Sequence, residues 1–149
     1  MVASVLFIVA DGARARLVVR SADNGDFITL REVDGRERLE TLRRELRASP
    51  AGRSQESASP TRRSVGRTES VRQAKEAFVA EAAALAVAEH ADHAQDGVVV
   101  VAPERLAAIL QKNLEGRLKI VGVLAKDLTK VPNHALRSWL DPIHPHRSA

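Results

Sequence analysis

The chain of 149 residues is 44% hydrophobic and 28% charged, which is typical of a soluble globular domain and excludes a disordered chain. It contains no cysteine, which excludes disulfides, thiolate metal sites and cysteine nucleophiles. No apolar run approaches the roughly 20 residues of a membrane helix, and no basic residue precedes the first apolar stretch as in a secretory signal. We therefore expect a single cytoplasmic domain over residues 1–149, with no membrane contact.

The first part of the chain is predicted to form three strands. Val5–Ala10 is apolar at every position, which indicates a central strand that is covered on both faces. Asp11–Gly12 has the composition of a turn. Arg14–Arg20 then alternates apolar and polar residues, which predicts a half-buried antiparallel strand, and a third strand is expected over Phe27–Val33.

The next stretch contains weaker signals and most of the excess positive charge. Leucines at helical spacing over 36–47 predict a short, marginal helix or an irregular arm. Residues 48–67 contain five serines, two prolines and two glycines, and Val65 is the only large apolar residue, so a long mobile loop is predicted. Four arginines accompany a single acid, Glu56, in this loop, and they are Arg53, Arg62, Arg63 and Arg67. A basic loop favours an anionic partner, with nucleic acid as the first candidate.

The rest of the chain alternates helices and strands. We expect a long helix from Ser70 to about His93, a strand at Val98–Val101 and a helix from Pro103 to Gly116. A third buried strand at Lys119–Ala125 should follow, then a final helix around Leu136–Leu140 and a frayed tail at 141–149. The order β-β-β-α-β-α-β-α predicts an α/β fold with a mixed five-stranded sheet. The first, fourth and fifth strands would be buried and mutually parallel, so their carboxyl ends would share one edge.

That edge is the candidate site. It collects Asp11, Glu104, Lys126 and Asp127, with Arg14 and Arg16 nearby. The three carboxylates of Asp11, Glu104 and Asp127 could hold Mg²⁺ for phosphoryl chemistry, since hard cations prefer oxygen ligands. The alternative is structural, with Asp11 shaping its turn and pairing with Arg14 or Arg16. No spacing motif ties the acids together, so we assign no metal and no cofactor.

A second candidate lies in the basic loop, at Gly52, Arg53, Ser54 and Gln55. A glycine lets the backbone approach a ligand closely, and the arginine fork matches a phosphate group. The alternative is a solvent-exposed spacer. With 3% aromatic residues, the chain lacks the stacking platforms of RNA-recognition or OB-type surfaces.

Several of these motifs together resemble a known family. Val9–Arg16 (Val-Ala-Asp-Gly-Ala-Arg-Ala-Arg) resembles the opening signature of the bacterial host-attachment family, proteins required for attachment to host cells. Three further motifs resemble that family in the same order, namely Gly52-Arg53-Ser54, Val101-Ala102-Pro103 and Lys126-Asp127-Leu128-Thr129 with Pro132. The resemblance extends from about Val5 to Leu140.

The resemblance implies a fold similar to the middle domain of archaeal and eukaryotic peptide-chain release factors, within the ribonuclease-H-like group. A Gly-Gly-Gln loop of that domain corresponds in position to Ala51–Gln55, but Gln55 follows Arg-Ser here, which argues against hydrolysis of peptidyl-tRNA. The ribonuclease-H acids are also missing from the first strand. The ligand-binding residues expected on these combined grounds are Asp11, Arg14, Arg16, Gly52, Arg53, Ser54, Gln55, Lys126, Asp127 and Thr129.

Three functional hypotheses follow. The leading one is a non-catalytic domain that contacts RNA or the ribosome through the arginine-rich loop and acts indirectly on attachment. The second is a Mg²⁺- or Mn²⁺-dependent nuclease or phosphohydrolase built on Asp11, Glu104 and Asp127. The third is an oligomerisation module that uses the small residues of the long alanine-rich helix. Whether the chain catalyses any reaction is left open.

Overall fold

The computed structural model describes residues 4–48 and 60–146. The strands are β1 (Val5–Ala10), β2 (Arg14–Arg20), β3 (Phe27–Asp34), β4 (Gly97–Ala102) and β5 (Ile120–Ala125). The helices are α1 (Arg36–Ala48), α2 (Pro60–His93), α3 (Glu104–Leu114) and α4 (Arg137–Leu140), with a 3₁₀ turn at Asn133–Ala135. The strands form one sheet in the order β3-β2-β1-β4-β5. Because β1, β4 and β5 are parallel and β2 is antiparallel to β1 and β3, the predicted mixed five-stranded α/β fold is confirmed.

Strand β1 is the centre of the molecule, as its sequence predicts. All six of its residues are buried. Leu6 and Ile8 belong to a core cluster that includes residues of α2 and α3, whereas Phe7 and Val9 belong to a second cluster that includes residues 128–140. Side chains of a strand alternate between its two faces, so a strand that is covered on both must be apolar throughout.

Helix α2 packs its small residues against the sheet. Ala82, Ala83 and Ala86 are buried together with Phe78 and Val79 in the first core cluster. Small side chains let the helix backbone approach the sheet closely, so the alanine-rich face serves packing within the chain. The oligomerisation hypothesis concerns the helix as a whole, and Ala77, Ala84 and Ala88 on its other side are exposed, so that hypothesis stays a prediction.

The prediction of a loop over residues 48–67 is wrong for residues 60–67. Residues 60–67 belong to α2, which begins at Pro60 and not at the predicted Ser70. Ser64–Glu69 is exposed, so these turns do not face the core and need no stripe of apolar residues. Since hydrophobic periodicity detects a helix by such a stripe, it does not detect these turns. The rest of the predicted loop up to Ser59, apart from Ala48 at the end of α1, lies outside the described residues.

Two predictions at the end of the chain are also wrong. Strand β5 is parallel as expected, but it is only half-buried because it lies at the edge of the sheet and pairs with β4 alone. The tail is not frayed over 141–146. Asp141 accepts a hydrogen bond from Arg20 at 2.8 Å, and the ring of His144 lies edge-on to that of Phe7. Residues 147–149 lie outside the described residues.

Within the described part of the chain, none of the helices combines the length and the apolar character that crossing a membrane would require.

Candidate functional site

The loop between β1 and β2 is organised by the carboxylate of Asp11. Its Oδ1 accepts the backbone N–H groups of Ala13 at 2.8 Å and Arg14 at 2.7 Å. The N–H of Asp11 donates in turn to the carbonyl of Arg14 at 2.8 Å. An aspartate that accepts hydrogen bonds from the backbone N–H groups just after it stabilises a tight turn. The turn at Asp11–Gly12 is therefore determined by neighbouring residues and can be predicted from the sequence.

The pKa of Asp11 is lowered by this environment. Burial by itself raises the pKa of the carboxyl, but the backbone hydrogen bonds from Ala13 and Arg14 and the other favourable contacts of the carboxylate together outweigh it. The hydroxyl of Thr129 and the positive charge of Arg14 lower the pKa further. The carboxylate form is therefore the one that this turn stabilises.

Thr129 joins the first loop to the segment that follows β5. Its Oγ1 lies 2.9 Å from Oδ2 of Asp11 and 2.6 Å from Oδ1 of Asp127, and Nη2 of Arg14 donates to it at 3.1 Å. A hydroxyl carries one proton and can donate to only one carboxylate at a time. The backbone N–H of Thr129 also donates to Asp127 at 2.9 Å, which forms a second aspartate turn. Four of the predicted site residues thus form one network, namely Asp11, Arg14, Asp127 and Thr129.

Arg16 fastens the same segment to β2. Its Nη1 donates to the carbonyl of Thr129 at 2.9 Å, and its Nη2 donates to the carbonyl of Val131. Its Nε is buried and has no hydrogen-bond partner among the described residues. Burial lowers the pKa of Arg16, the charge of Glu32 counteracts that shift, and Arg14 reinforces it.

A pocket of about 300 Å³ opens beside this network. Arg14 and Arg16 of β2, Glu32 and Asp34 of β3, and Arg36 at the start of α1 provide its charged lining. The antiparallel register places Arg16 opposite Glu32 and Arg14 opposite Asp34. The sequence analysis did not identify Glu32, Asp34 or Arg36 as site residues. Pairing the predicted strands β2 and β3 with each other could have identified the two acids.

Asp34 and Arg36 form an exposed ion pair at the mouth of the pocket. Nη2 of Arg36 lies 2.7 Å from Oδ2 of Asp34. The side-chain hydrogen bonds from Arg36, together with its backbone N–H, lower the pKa of Asp34 to about 2. Asp34 therefore stays ionised and remains the partner of Arg36 at neutral pH.

Helix α2 passes the same edge of the sheet, which we call the carboxyl edge because β1, β4 and β5 end there. The side chain of Lys75 lies over Gly12, where an added Cβ would be 2.4 Å from its Cγ. At the opposite edge, the chain that follows α2 meets the start of β1, since the N–H of Asp96 donates to the carbonyl of Ser4 at 2.7 Å. The turns of α2 that precede Lys75 therefore project beyond the carboxyl edge.

The remaining predicted residues lie apart from the network. The ammonium of Lys126 lies 4.5 Å from the centroid of the Trp139 ring. Glu104 begins α3, and no three His, Cys, Asp or Glu side chains among the described residues form a group that could hold a metal ion. The described residues thus do not bring Asp11, Glu104 and Asp127 into one carboxylate cluster. Gly52, Arg53, Ser54 and Gln55 lie outside the described residues.

Comparison with known protein families identifies the family of the chain. The model of the family described as "Protein required for attachment to host cells" matches residues 6–140. The matched range includes the β1–β2 loop, Asp127 and Thr129, so the whole hydrogen-bonded network falls inside it. None of the curated proteins compared with the chain matches it.

Proposed function

Because the chain belongs to the family of proteins required for attachment to host cells, we propose that it acts on attachment indirectly, as a non-catalytic domain that binds RNA. The binding surface comprises the projecting turns of α2, the segment before them and the pocket at the carboxyl edge. RNA in this sense includes the RNA exposed on a ribosome.

The observation that carries the proposal is the projection of α2. From Lys75 back to Pro60 the helix extends about 22 Å at the usual rise per residue. Ser64–Glu69 is exposed throughout, so these six residues of the helix are not needed to cover the core. A helix that is exposed on all sides and extends from a packed domain is available to a partner.

The charge of this region fits a polyanion. Arg62, Arg63 and Arg67 belong to the projecting turns, and Arg53 precedes them in the chain. Within 48–67 the only acid is Glu56. Arginines bind phosphate oxygens through their planar fork, and binding to the phosphate backbone needs no aromatic side chains. With few aromatic residues, the domain is expected to bind RNA with little sequence preference.

The test is the salt dependence of binding to a single-stranded RNA oligonucleotide. If all four arginines contact phosphates, log K falls with log salt concentration at a slope of about −3. Replacing Arg53, Arg62, Arg63 and Arg67 with alanine is expected to abolish most of that slope. A matched control removes four positive charges elsewhere, by alanine substitution of the exposed Arg44, Arg47, Lys112 and Arg117.

The control should keep most of the affinity, since these side chains lie on α1, on α3 and in the loop before β5. Equal losses in both quadruple variants would show a general effect of net charge and would reject the proposed surface. Binding that does not respond to salt would reject phosphate contacts altogether.

A further inference from the structure

The two edge strands of the sheet, β3 and β5, differ in charge. Both have one irregularity in their pairing with the neighbouring strand, but only β3 contains charged residues, namely Arg31, Glu32 and Asp34. Charged side chains on an edge strand are one means by which natural proteins prevent its pairing with another chain. Strand β5 has the sequence Ile-Val-Gly-Val-Leu-Ala, with no charged residue and no proline. Its side chains therefore do not oppose the addition of a further strand.

The outer side of β5 is also uncovered. Among the described residues β5 pairs with β4 alone, and each of its six residues is at least partly exposed, whereas all six residues of β4 are buried. Val123 is 37% exposed and lies in the regular part of the strand, after the irregularity between Ile120 and Gly122. The outward N–H and C=O groups of an edge strand can bond an added strand, which would also bury part of Val123.

A second copy of β5 fits this edge in an antiparallel arrangement. Opposite residues of an antiparallel pair have their side chains on the same face, and adjacent residues of one strand point to different faces. A two-fold axis that relates two copies of β5 must therefore lie at a residue that is opposite itself. With the axis at Val123, the two exposed valines face each other, Gly122 lies opposite Leu124, and Val121 lies opposite Ala125. Every pair within β5 is then apolar.

The charges that flank β5 are complementary in this register. Lys119 precedes the strand and Asp127 follows it, and both are exposed and form no ion pair within the described residues. Lys126, which lies between β5 and Asp127, has its ammonium 4.5 Å from the ring centroid of Trp139. An axis at Val123 brings Lys119 of one copy to the strand end that carries Asp127 of the other. The chain turns directly after β5, so the long side chain of Lys119 is needed to reach that carboxylate. Such complementary charges fix register and orientation.

We propose that two copies of this chain pair antiparallel through β5, about a two-fold axis at Val123, and join their sheets into one continuous sheet. The axis is perpendicular to the sheet, so equivalent helices of the two copies lie on the same face. Helix α2 packs over β1 and β2 and not at β5, so the dimer leaves its projecting turns uncovered. The dimer is thus a property separate from the proposed binding of RNA.

Charge substitutions at Val123 test the axis. Sedimentation equilibrium over the micromolar range should show a monomer–dimer equilibrium for the wild type and loss of the dimer in Val123→Lys and in Val123→Glu, because like charges would lie directly opposite each other. An equimolar mixture of the two variants should dimerise again, since the facing charges then have opposite signs. Ile28→Lys is the matched control, because Ile28 is 48% exposed on the other edge strand, and it should dimerise as the wild type does. Circular dichroism establishes that each variant is folded.

A disulfide provides a second measurement that introduces no charge. The chain contains no cysteine, so Val123→Cys has a single thiol. Opposite residues of an antiparallel pair have Cα atoms about 4.5–5.5 Å apart, which is within the span of a disulfide. Oxidised glutathione should therefore convert Val123→Cys to a covalent dimer much faster than Ile28→Cys.

Three results would overturn the proposal. A wild-type protein that stays monomeric over the micromolar range would show that a second copy does not occupy the edge of β5. A dimer that persists in both charged variants, or equal cross-linking of the two cysteine variants, would place the interface elsewhere. A mixture of Val123→Lys and Val123→Glu that stays monomeric would exclude Val123 from the axis.

Discussion

The hydroxyl of Thr129 lies 2.9 Å from Oδ2 of Asp11, although the two residues are 118 positions apart in the chain. This contact connects the turn after the first strand to the turn after the last one. Both turns are built on an aspartate that accepts backbone N–H groups, at Asp11 and at Asp127. The side chain of Thr129 therefore bridges two local structures, and Arg16 holds the same two segments together through the carbonyls of Thr129 and Val131.

Thr129→Val is expected to destabilise the protein by about 1–3 kcal/mol, because it leaves the part-buried Asp11 and Arg14 without a shared partner. The change conserves shape, so it isolates the hydroxyl. Urea unfolding measures the effect. Thr129→Ser keeps the hydroxyl and should cost less.

Thr41→Val is the matched control for this prediction. The hydroxyl of Thr41 accepts a hydrogen bond from Arg44 on the exposed side of α1, so its loss should change stability by less than about 0.5 kcal/mol. An effect as large as that of Thr129→Val would show that valine itself, and not the network, causes the loss.

The lowered pKa of Asp11 predicts a specific pH dependence. A carboxyl whose folded pKa lies below its unfolded value of 3.8 stabilises the protein fully above that pH and loses this contribution as the pH falls through the folded pKa. Asp11→Asn cannot titrate, so the difference in free energy of unfolding between wild type and variant should shrink below pH 3.8. Urea titrations from pH 7 down to pH 2 measure it.

Asp23→Asn is the control, since its carboxyl accepts no hydrogen bond from the described residues. At pH 7 the free energy of unfolding of this variant should differ from that of the wild type by less than about 0.5 kcal/mol. A constant difference between wild type and Asp11→Asn at every pH would contradict the assignment of the pKa shift to this turn.

In the ion pair between Arg31 and Glu89, loss of the arginine should lower the free energy of unfolding more than loss of the carboxylate. Glu89 is only 3% exposed, and its carboxylate is held by Arg31 at 2.9 Å and His93 at 2.8 Å. Arg31→Ala leaves that buried charge with one partner and is expected to cost about 2 kcal/mol. Glu89→Gln leaves the exposed side chains of Arg31 and His93 without their carboxylate and should cost about 1 kcal/mol.

Chemical denaturation of both variants checks this order. Arg38→Ala serves as control, because its partner Glu81 is half exposed and such surface pairs contribute about 0–1 kcal/mol. If Glu89→Gln is the more damaging change, the carboxylate is not held mainly by Arg31.

How far the site was predictable depends on which residues are considered. Asp11 and Asp127 were identified because strand-end turns have a local composition, and Arg14 and Arg16 because they follow such a turn on an alternating strand. Glu32 and Asp34 were missed because their place in the pocket follows from the pairing of β3 with β2, and Arg36 was missed because it lies just beyond β3, at the start of α1. The release-factor resemblance and the RNA partner stay predictions.

The sequence by itself determined the strands, their parallel set and the turn at Asp11, because apolar runs and turn residues report on backbone and burial within a few neighbours. The tertiary structure alone decided that α2 begins at Pro60, that β5 lies at the edge and that residues 141–146 pack on the sheet. It also decided the meeting of Thr129 with Asp11 and the unpartnered Nε of Arg16. The contacts of Thr129 and of residues 141–146 join positions more than a hundred apart, and the first turns of α2 have no core to face, so hydrophobic periodicity predicts neither.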